Sequence, residues 1–168
     1  MKTRAIGLIV AALIFVADQF AKYMVMVPFD LKARDRIEIF SFFDLHWVEN
    51  PGVSMGFLAA DTPLKRWLLV AMTGAIAVGV LVWLWREKNR QDVLALGLIL
   101  GGALGNIVDR ARFGYVVDYA DLHFGDIRPF LVFNVADAAI TIGVVILLMR
   151  AFLVREQPKV PKKVNNDA

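Results

Sequence analysis

The chain contains no cysteine, which excludes thiol catalysis, disulfides and thiolate metal sites together. Histidine is almost as scarce. His46 and His123 are the only two, a thin and scattered ligand set with no H-E-x-x-H string, so a zinc peptidase is not expected. An excess of one charge is missing too. Nineteen Lys and Arg nearly balance 16 Asp and Glu, leaving a formal net charge of +3. The bases are scattered apart from a cluster near the C-terminus. No nucleic-acid face is visible, and the bases suit topology and lipid-headgroup roles instead.

What the chain has in abundance is hydrocarbon. It is 58% hydrophobic with a mean hydropathy of +0.59, too apolar for an ordinary soluble domain of 168 residues and in keeping with a small helical membrane protein. Four apolar stretches predict spans over residues 5–27, 67–85, 93–110 and 131–150. The first begins like a signal peptide, with Lys2 and Arg4 before an uncharged run. Cleavage after Ala17 would put Phe15 at the −3 position, and after Ala21 would put Gln19 there, where small residues are needed, so a retained span is expected. The 19 uncharged residues from Trp67 to Trp85 suffice to cross a hydrocarbon core. The expected fold is a mainly α membrane protein of four transmembrane helices with a small β-rich region on the extracytoplasmic surface. One domain, residues 1–156, carries it. The tail 157–168, with Pro158, Pro161 and Lys159, Lys162 and Lys163, is expected to be disordered.

Four crossings bring both termini to one side. Three bases crowd the connection Arg86–Asp92 on that side, which places the termini in the cytoplasm. Depth follows from helical rise. Asp18 lies about 20 Å along the first span, Asn106 about as far up the third, and Asp137 about 9 Å below the outer end of the fourth at Leu131. All three therefore belong to the outer half of the bilayer. Asp18 and Lys22 are four apart. Asn106, Asp109 and Arg110 share a face, as do Asn134 and Asp137. Matching polar faces on three helices indicate a buried site. A carboxylate such as Asp137 among spanning residues is costly and by default functional, and no base lies within a turn of it. Asp118 is notable only for what it could face. Asp18–Lys22 is open to a second reading as a self-neutralising ion pair, and Asp109–Arg110 to one as a helix-end salt-bridge network.

The loops alternate in a manner that predicts short strands, over Ile37–Val48 and again over Tyr115–Phe124, which carries Asp118. Trp47, Trp67, Tyr115 and Tyr119 suit an outer interfacial belt, and Trp83 and Trp85 an inner one. Gly97, Gly101 and Gly105 on the third span, and Ala71, Ala75 and Gly79 on the second, form small-residue stripes expected to let neighbouring helices approach. Gly52-Val53-Ser54-Met55-Gly56 fits G-x-S-x-G, but a serine nucleophile needs a strand-turn-helix elbow in an α/β sheet, for which this chain has no room.

Five segments taken in order resemble the signal peptidase II family: Asp18-Gln19-x-x-Lys22; Glu49-Asn50-Pro51-Gly52-Val53-Ser54; Gly105-Asn106-Ile107-Val108-Asp109-Arg110; Val117-Asp118-Tyr119; and Phe133-Asn134-x-Ala136-Asp137. Each is weak alone; five on a four-span frame are specific. Met55 departs from the aromatic more usual there. The resemblance implies an aspartic endopeptidase of the bacterial inner membrane, with its active site toward the outer face. It would remove the signal peptide from diacylglyceryl-modified prolipoproteins, cutting before the lipidated cysteine. It implies that Asp118 and Asp137 are the catalytic dyad. Asn50, Gly52, Asn106, Arg110 and Asn134 would line the site, with Asp18 and Lys22 as a supporting pair. No cofactor and no metal are expected; the implied partners are prolipoprotein substrates and membrane lipid, with the enzyme a monomer. The chemistry is coherent, because two adjacent carboxyls share one proton and titrate as a pair. Two other readings compete. A proton- or ion-coupled carrier would run a relay through Asp18, Asp137 and Arg110, but needs polar residues on the inner half of the spans. A membrane scaffold built on the glycine stripes leaves the aspartates unexplained.

Overall fold

The computed structural model describes residues 2–52, 62–125 and 127–153. The tail expected to be disordered, and Ser54 and Met55, lie outside the described residues. Among the described residues four helices are long and apolar enough to cross a membrane: α1 (Lys2–Met26), α3 (Pro63–Arg86), α4 (Arg90–Phe113) and α5 (Val135–Leu153). A single turn, α2 (Leu31–Arg34), follows α1. Even α5, the shortest span at 19 residues, reaches about 28 Å at 1.5 Å per residue, close to the thickness of a bilayer core. In hydrocarbon a helix is favoured because it satisfies its own backbone groups.

Local chemistry sets the ends. Thr62 caps α3 by accepting from the Lys65 amide at 3.3 Å, with Pro63 in the first turn. Asn89 caps α4 through the amides of Gln91 (2.9 Å) and Asp92 (3.4 Å). Gly114 ends α4 at φ 92°, a left-handed conformation that suits glycine, and its N–H donates to Arg110 O at 3.1 Å.

α4 is the central helix, far more buried than the other three spans. The glycine stripe expected on it does pack. A Cβ at Gly97 would lie 2.6 Å from the Gly7 carbonyl of α1, and one at Gly101 2.5 Å from the Ala11 carbonyl. Gly102 meets the Ala136 carbonyl of α5. Backbones thus come together where side chains are absent. The companion stripe behaves differently. Ala71, Ala75 and Gly79 of α3 face outward, nothing lies within 4 Å of a Cβ at Gly79, and α3 buries Leu69, Ala77 and Leu84 instead. A helix that is apolar all round has no polar face to mark which side packs.

Every span differs from expectation by a few residues at one end or both, α3 beginning at Pro63 and α4 at Arg90, and two of the shifts bear on the site. The third runs on to Phe113, so Arg110 falls in the last turn of α4 with Asp109 just before it. The fourth starts at Val135 and not at Leu131. Asn134 therefore precedes the helix, and Asp137 sits in its first turn; the two do not share a helical face. The reason is local: Asn134 Oδ1 accepts from the Asp137 amide at 2.8 Å, an N-cap geometry. The preceding Phe133 is drawn into strand pairing.

A three-stranded antiparallel sheet occupies the end of the bundle where α1 and α4 finish and α5 begins. Its order is β1 (Arg36–Phe40), β2 (Phe43–Asn50), β3 (Val116–Leu122). Val25 and Leu31 pack beneath it against Leu45, Val117, Tyr119 and Ala120. Tyr119, expected in an outer aromatic belt, is buried in this cluster at 7% exposure. Trp67, Trp83 and Trp85 are half-exposed, as belt residues would be.

Candidate active site

The glycine that stops α4 also begins the site. Two residues beyond Gly114 the chain enters β3, so Asp118 follows the helix closely. Ala120 then pairs with Phe133: Phe133 N donates to Ala120 O at 3.1 Å and Ala120 N donates to Phe133 O at 2.8 Å. In an antiparallel register, this bridge sets Asp118 beside the first residues of α5. On the other edge Val48 of β2 lies opposite Asp118. Asn50, two residues along, shares that face and reaches Asp118.

The opening turn of α5 has amide donors with no helical partner, and side chains take those of Ala136 and Asp137. Asp18 Oδ1 of α1 accepts from the Ala136 amide at 3.0 Å. Asn134 Oδ1 takes the Asp137 amide, and Asn134 O takes the Ala138 amide at 3.2 Å. Asp18, fully buried, thereby couples the first span to the fourth.

Lys22 is the hub beneath. Its Nζ donates to Asp18 Oδ2 at 2.8 Å, contacts Asp109 Oδ2 at 2.8 Å and donates to Asn106 Oδ1 at 3.2 Å. Gln19 Nε2 donates to Asp109 Oδ1 at 3.0 Å, and the Val117 amide donates to Asp109 Oδ2 at 3.2 Å. One cation between two carboxylates is more than a self-neutralising pair. It ties α1, α4 and β3 at a point from which water is excluded, where removing any member would strand a charge. Gly105 leaves room here, since a Cβ would collide with the Asp18 carboxylate.

Above the hub, three asparagines turn the same end toward two aspartates. Asn50 Oδ1 is occupied by the Gly52 amide (3.2 Å), Asn134 Oδ1 by the Asp137 amide, and Asn106 Oδ1 by Lys22 and by Asn134 Nδ2 (3.3 Å). Their NH₂ groups must then point the other way. Asn50 Nδ2 donates to Asp118 Oδ2 at 3.0 Å, Asn134 Nδ2 to Asp118 Oδ1 at 2.7 Å, and Asn106 Nδ2 to Asp137 Oδ1 at 2.8 Å. The Asn134 amide alone contacts both Asp118 and the backbone of Asp137. Arg110, 8% exposed, donates through Nη2 to Gly52 O at 2.8 Å and through Nη1 to Asn106 O at 3.4 Å. Its buried Nε has no partner among the described residues.

Asp118 is 2% exposed, and burial pushes its carboxyl up to about 7; the neighbouring Asp137 carboxylate adds to the rise, while the Asn50 and Asn134 donors and Lys22 oppose it. A carboxyl with that value holds its proton about half the time at neutral pH. Burial also pushes the phenol of Tyr119 upward.

All nine residues singled out from the sequence lie in this one cluster: Asp18, Lys22, Asn50, Gly52, Asn106, Arg110, Asp118, Asn134 and Asp137. Two members were underrated. Asp109 bridges Lys22 to the Val117 amide, and Gln19 spans Asp18 and Asp109. Their places inside the Asp18–Lys22 and Asn106–Arg110 segments were the available signal.

A family model described as signal peptidase (SPase) II matches residues 10–153. A lipoprotein signal peptidase of Rhizorhabdus wittichii is 61% identical over 165 residues, covering 98% of this chain and 95% of that protein. One of Sphingopyxis alaskensis is 58% identical over 151 residues, covering 90% and 87% respectively. Among solved structures, a bacterial membrane enzyme determined by the in meso method at 2.3 Å superposes with a TM-score of 0.77 at 28% identity, covering 94% of this chain and 93% of that one.

Proposed function

Because the chain belongs to the signal peptidase II family and is thus a membrane protease, we propose that Asp118 and Asp137 are the dyad that hydrolyses its substrate. The substrate is a diacylglyceryl-modified prolipoprotein, cut on the amino side of the lipidated cysteine. The observation that carries this reading is the Asn134 amide, held at 2.7 Å to Asp118 and 2.8 Å to the Asp137 backbone. It ties the Asp118 carboxyl to the first turn of α5, where the Asp137 carboxyl accepts from Asn106 at 2.8 Å, and so supports a shared site for the two acids.

The chemistry follows from a single proton shared by two acids. The ionised carboxyl takes a proton from water as its oxygen attacks the scissile carbonyl carbon, while the protonated one donates to the carbonyl oxygen. The tetrahedral adduct collapses with breakage of the C–N bond. The cysteine nitrogen leaves as an amine, carrying a proton delivered by the group that had acted as base. The roles then reset. The value near 7 for Asp118 supports this, since one proton is retained on the pair at neutral pH. Arg110, with an unspent buried N–H, is suited to a substrate carbonyl. A signal-peptide helix must unwind at the cut, and its freed backbone groups need such partners in a low-dielectric site. Asn50, Asn106 and Asn134 orient the dyad. Gly52 receives Arg110, and Asp18 and Lys22 hold the start of α5 against α1.

The four spans and the family make this a multi-pass protein of the bacterial inner membrane. Within that frame the termini are cytoplasmic, the dyad faces the outer leaflet, and one chain is sufficient. The test is Asp118→Asn and Asp137→Asn in inserted protein with a diacylated precursor peptide. Each variant loses kcat by at least about 10²-fold, the usual scale for removing a positioned acid or base. Normal trimming by either would end the assignment.

A further inference from the structure

Leu45 and Ala120 point into the hydrophobic cluster beneath the sheet, so their neighbours Asp44 and Asp121 point to its other face. These two aspartates stand directly opposite each other on β2 and β3 and are 3% and 0% exposed. Like charges so placed repel, and cations answer them. Arg36 Nη1 donates to Asp44 Oδ2 at 3.0 Å and its Nη2 lies 3.5 Å from Asp121 Oδ2. Arg128 Nε donates to the same Asp121 oxygen at 3.3 Å, and His123 Nε2 lies 3.1 Å from Asp44 Oδ2. The pairing leaves two remainders. Asp121 Oδ1 is buried without a hydrogen-bond partner among the described residues. Arg128, half-exposed, pairs there only through Nε, which leaves Nη1 and Nη2 unused among the described residues. Asp121 and Arg128 line a pocket of about 410 Å³ together with Arg36, His46, Phe130 and Leu131. It includes no member of the polar cluster around Asp118 and Asp137.

We propose that this pocket binds the headgroup of an aminophospholipid, with its ammonium on Asp121 and its phosphate on Arg128. A carboxylate oxygen kept from water without a donor is costly, and an ammonium N–H relieves it. The free fork of Arg128 offers two parallel donors, the arrangement that fits phosphate oxygens. His46 adds a third. Its Nδ1 lies 3.4 Å from Arg36 Nη2, a donor, so Nε2 holds the ring proton. Charge balance selects between ligands: the two carboxylates and two guanidiniums cancel, so a group with one charge of each sign preserves neutrality and a bare anion does not. Depth agrees. The 19 residues of α5 only just cross the hydrocarbon, so residues 129–132, shortly before Val135, stand among the headgroups. Phe130 and Leu131, 61% and 64% exposed, give the pocket an apolar wall for the upper part of the lipid's chains. Free phosphoethanolamine carries the same two charges but leaves that wall bare, which favours the lipid. The volume, roughly fourteen liquid-water volumes, holds a headgroup and leaves the chains in the bilayer. A lipid so held braces the segment from Arg128 to Phe133, whose bridge to Ala120 sets the start of α5.

The experiment titrates the full-length enzyme in detergent micelles with short-chain phosphatidylethanolamine, phosphatidylcholine or phosphatidylglycerol, and reads the bound fraction by native mass spectrometry. Phosphatidylethanolamine is expected to bind about tenfold more tightly than the other two, the scale of one charge-assisted hydrogen bond. Choline has no N–H for Asp121, and the glycerol headgroup has no cation. Arg128→Gln should weaken phosphatidylethanolamine about tenfold by the same measure, and Asp121→Asn should erase its preference over phosphatidylcholine. Arg34→Gln, exposed on α2 at the same end of the bundle, should leave both unchanged. Should the buried Asp121→Asn fail to fold, the half-exposed Arg128 still decides. Equal affinity for the three lipids overturns the proposal, and so does an unaltered affinity in Arg128→Gln or an equal loss in Arg34→Gln. Free phosphoethanolamine that displaces the lipid at equal concentration overturns the lipid as the source of the headgroup. Displacement by an unlipidated peptide would make the pocket a peptide subsite and overturn the lipid reading as well.

Discussion

If Asp118 and Asp137 share a proton, removing the charge of one must move the titration of the other. Asp118 has an ordinary value of 3.8 and is held near 7, with burial the largest cause and the Asp137 carboxylate the second. Asp137→Asn leaves the burial and deletes the charge. A charge within roughly 4–6 Å moves a carboxyl by about one to three pH units. Because both carboxyls accept from asparagines that are bonded to each other, the coupling should approach that size. The expected Asp118 midpoint in Asp137→Asn is therefore one to two pH units below about 7, yet still above 3.8, since burial persists. The assay is carboxyl ¹³C chemical shift against pH in micelles with labelled aspartate, the Asp118 signal being identified by its loss in Asp118→Asn. An Asp118 midpoint unchanged in Asp137→Asn would mean that the two groups do not interact, and the shared-proton mechanism would fall with it.

The Asn50 donor favours the ionised form of Asp118, so its loss raises that group further. In Asn50→Ala the alkaline limb of the kcat profile, where the pair loses its last proton, shifts to higher pH; a shift downward in a pH–rate series contradicts the arrangement. Lys22→Met leaves Asp18 and Asp109 buried without their cation, a change expected to cost about 3–5 kcal/mol, read as a fall in the denaturation midpoint in detergent. The glycines divide by environment. Gly101→Leu forces a side chain into the Ala11 backbone of α1 and should prevent stable assembly, whereas Gly79→Leu meets open space and should stay within about 0.5 kcal/mol of the parent. Equal thermal stability of those two variants would refute the packing described for α4.

Much of the site was legible because polarity in an apolar run is conspicuous. Asp18, Lys22, Asn106, Arg110 and Asp137 stand out against hydrocarbon, and helical rise set Asp18 and Asn106 at comparable depth, whereas the depth given to Asp137 assumed a helix from Leu131 that begins at Val135. The error over Asn134 had the opposite origin. Leu131–Phe133 is as apolar as the helix that follows, so composition could not distinguish extended pairing with β3 from another helical turn. Only the bridge between Ala120 and Phe133 decides it. Tyr119 was misplaced for a similar reason, since an aromatic near the membrane surface suits a lipid belt or a core equally until the sheet is folded over α1 and α2.

By itself the sequence determined four apolar spans, the strand-forming loops and the membership of the polar cluster. These are consequences of short-range periodicity and of the cost of placing charge in lipid. The tertiary structure alone decided which partners meet. Lys22 serves Asp109 as well as Asp18, Asp18 caps a helix 118 residues away, and α3 packs with Leu69 and Ala77 while its small-residue stripe faces outward. Such pairings depend on rotation and register between helices. Apolar surface attracts apolar surface without direction, so those angles emerge only when backbones close on one another and each buried donor finds its acceptor.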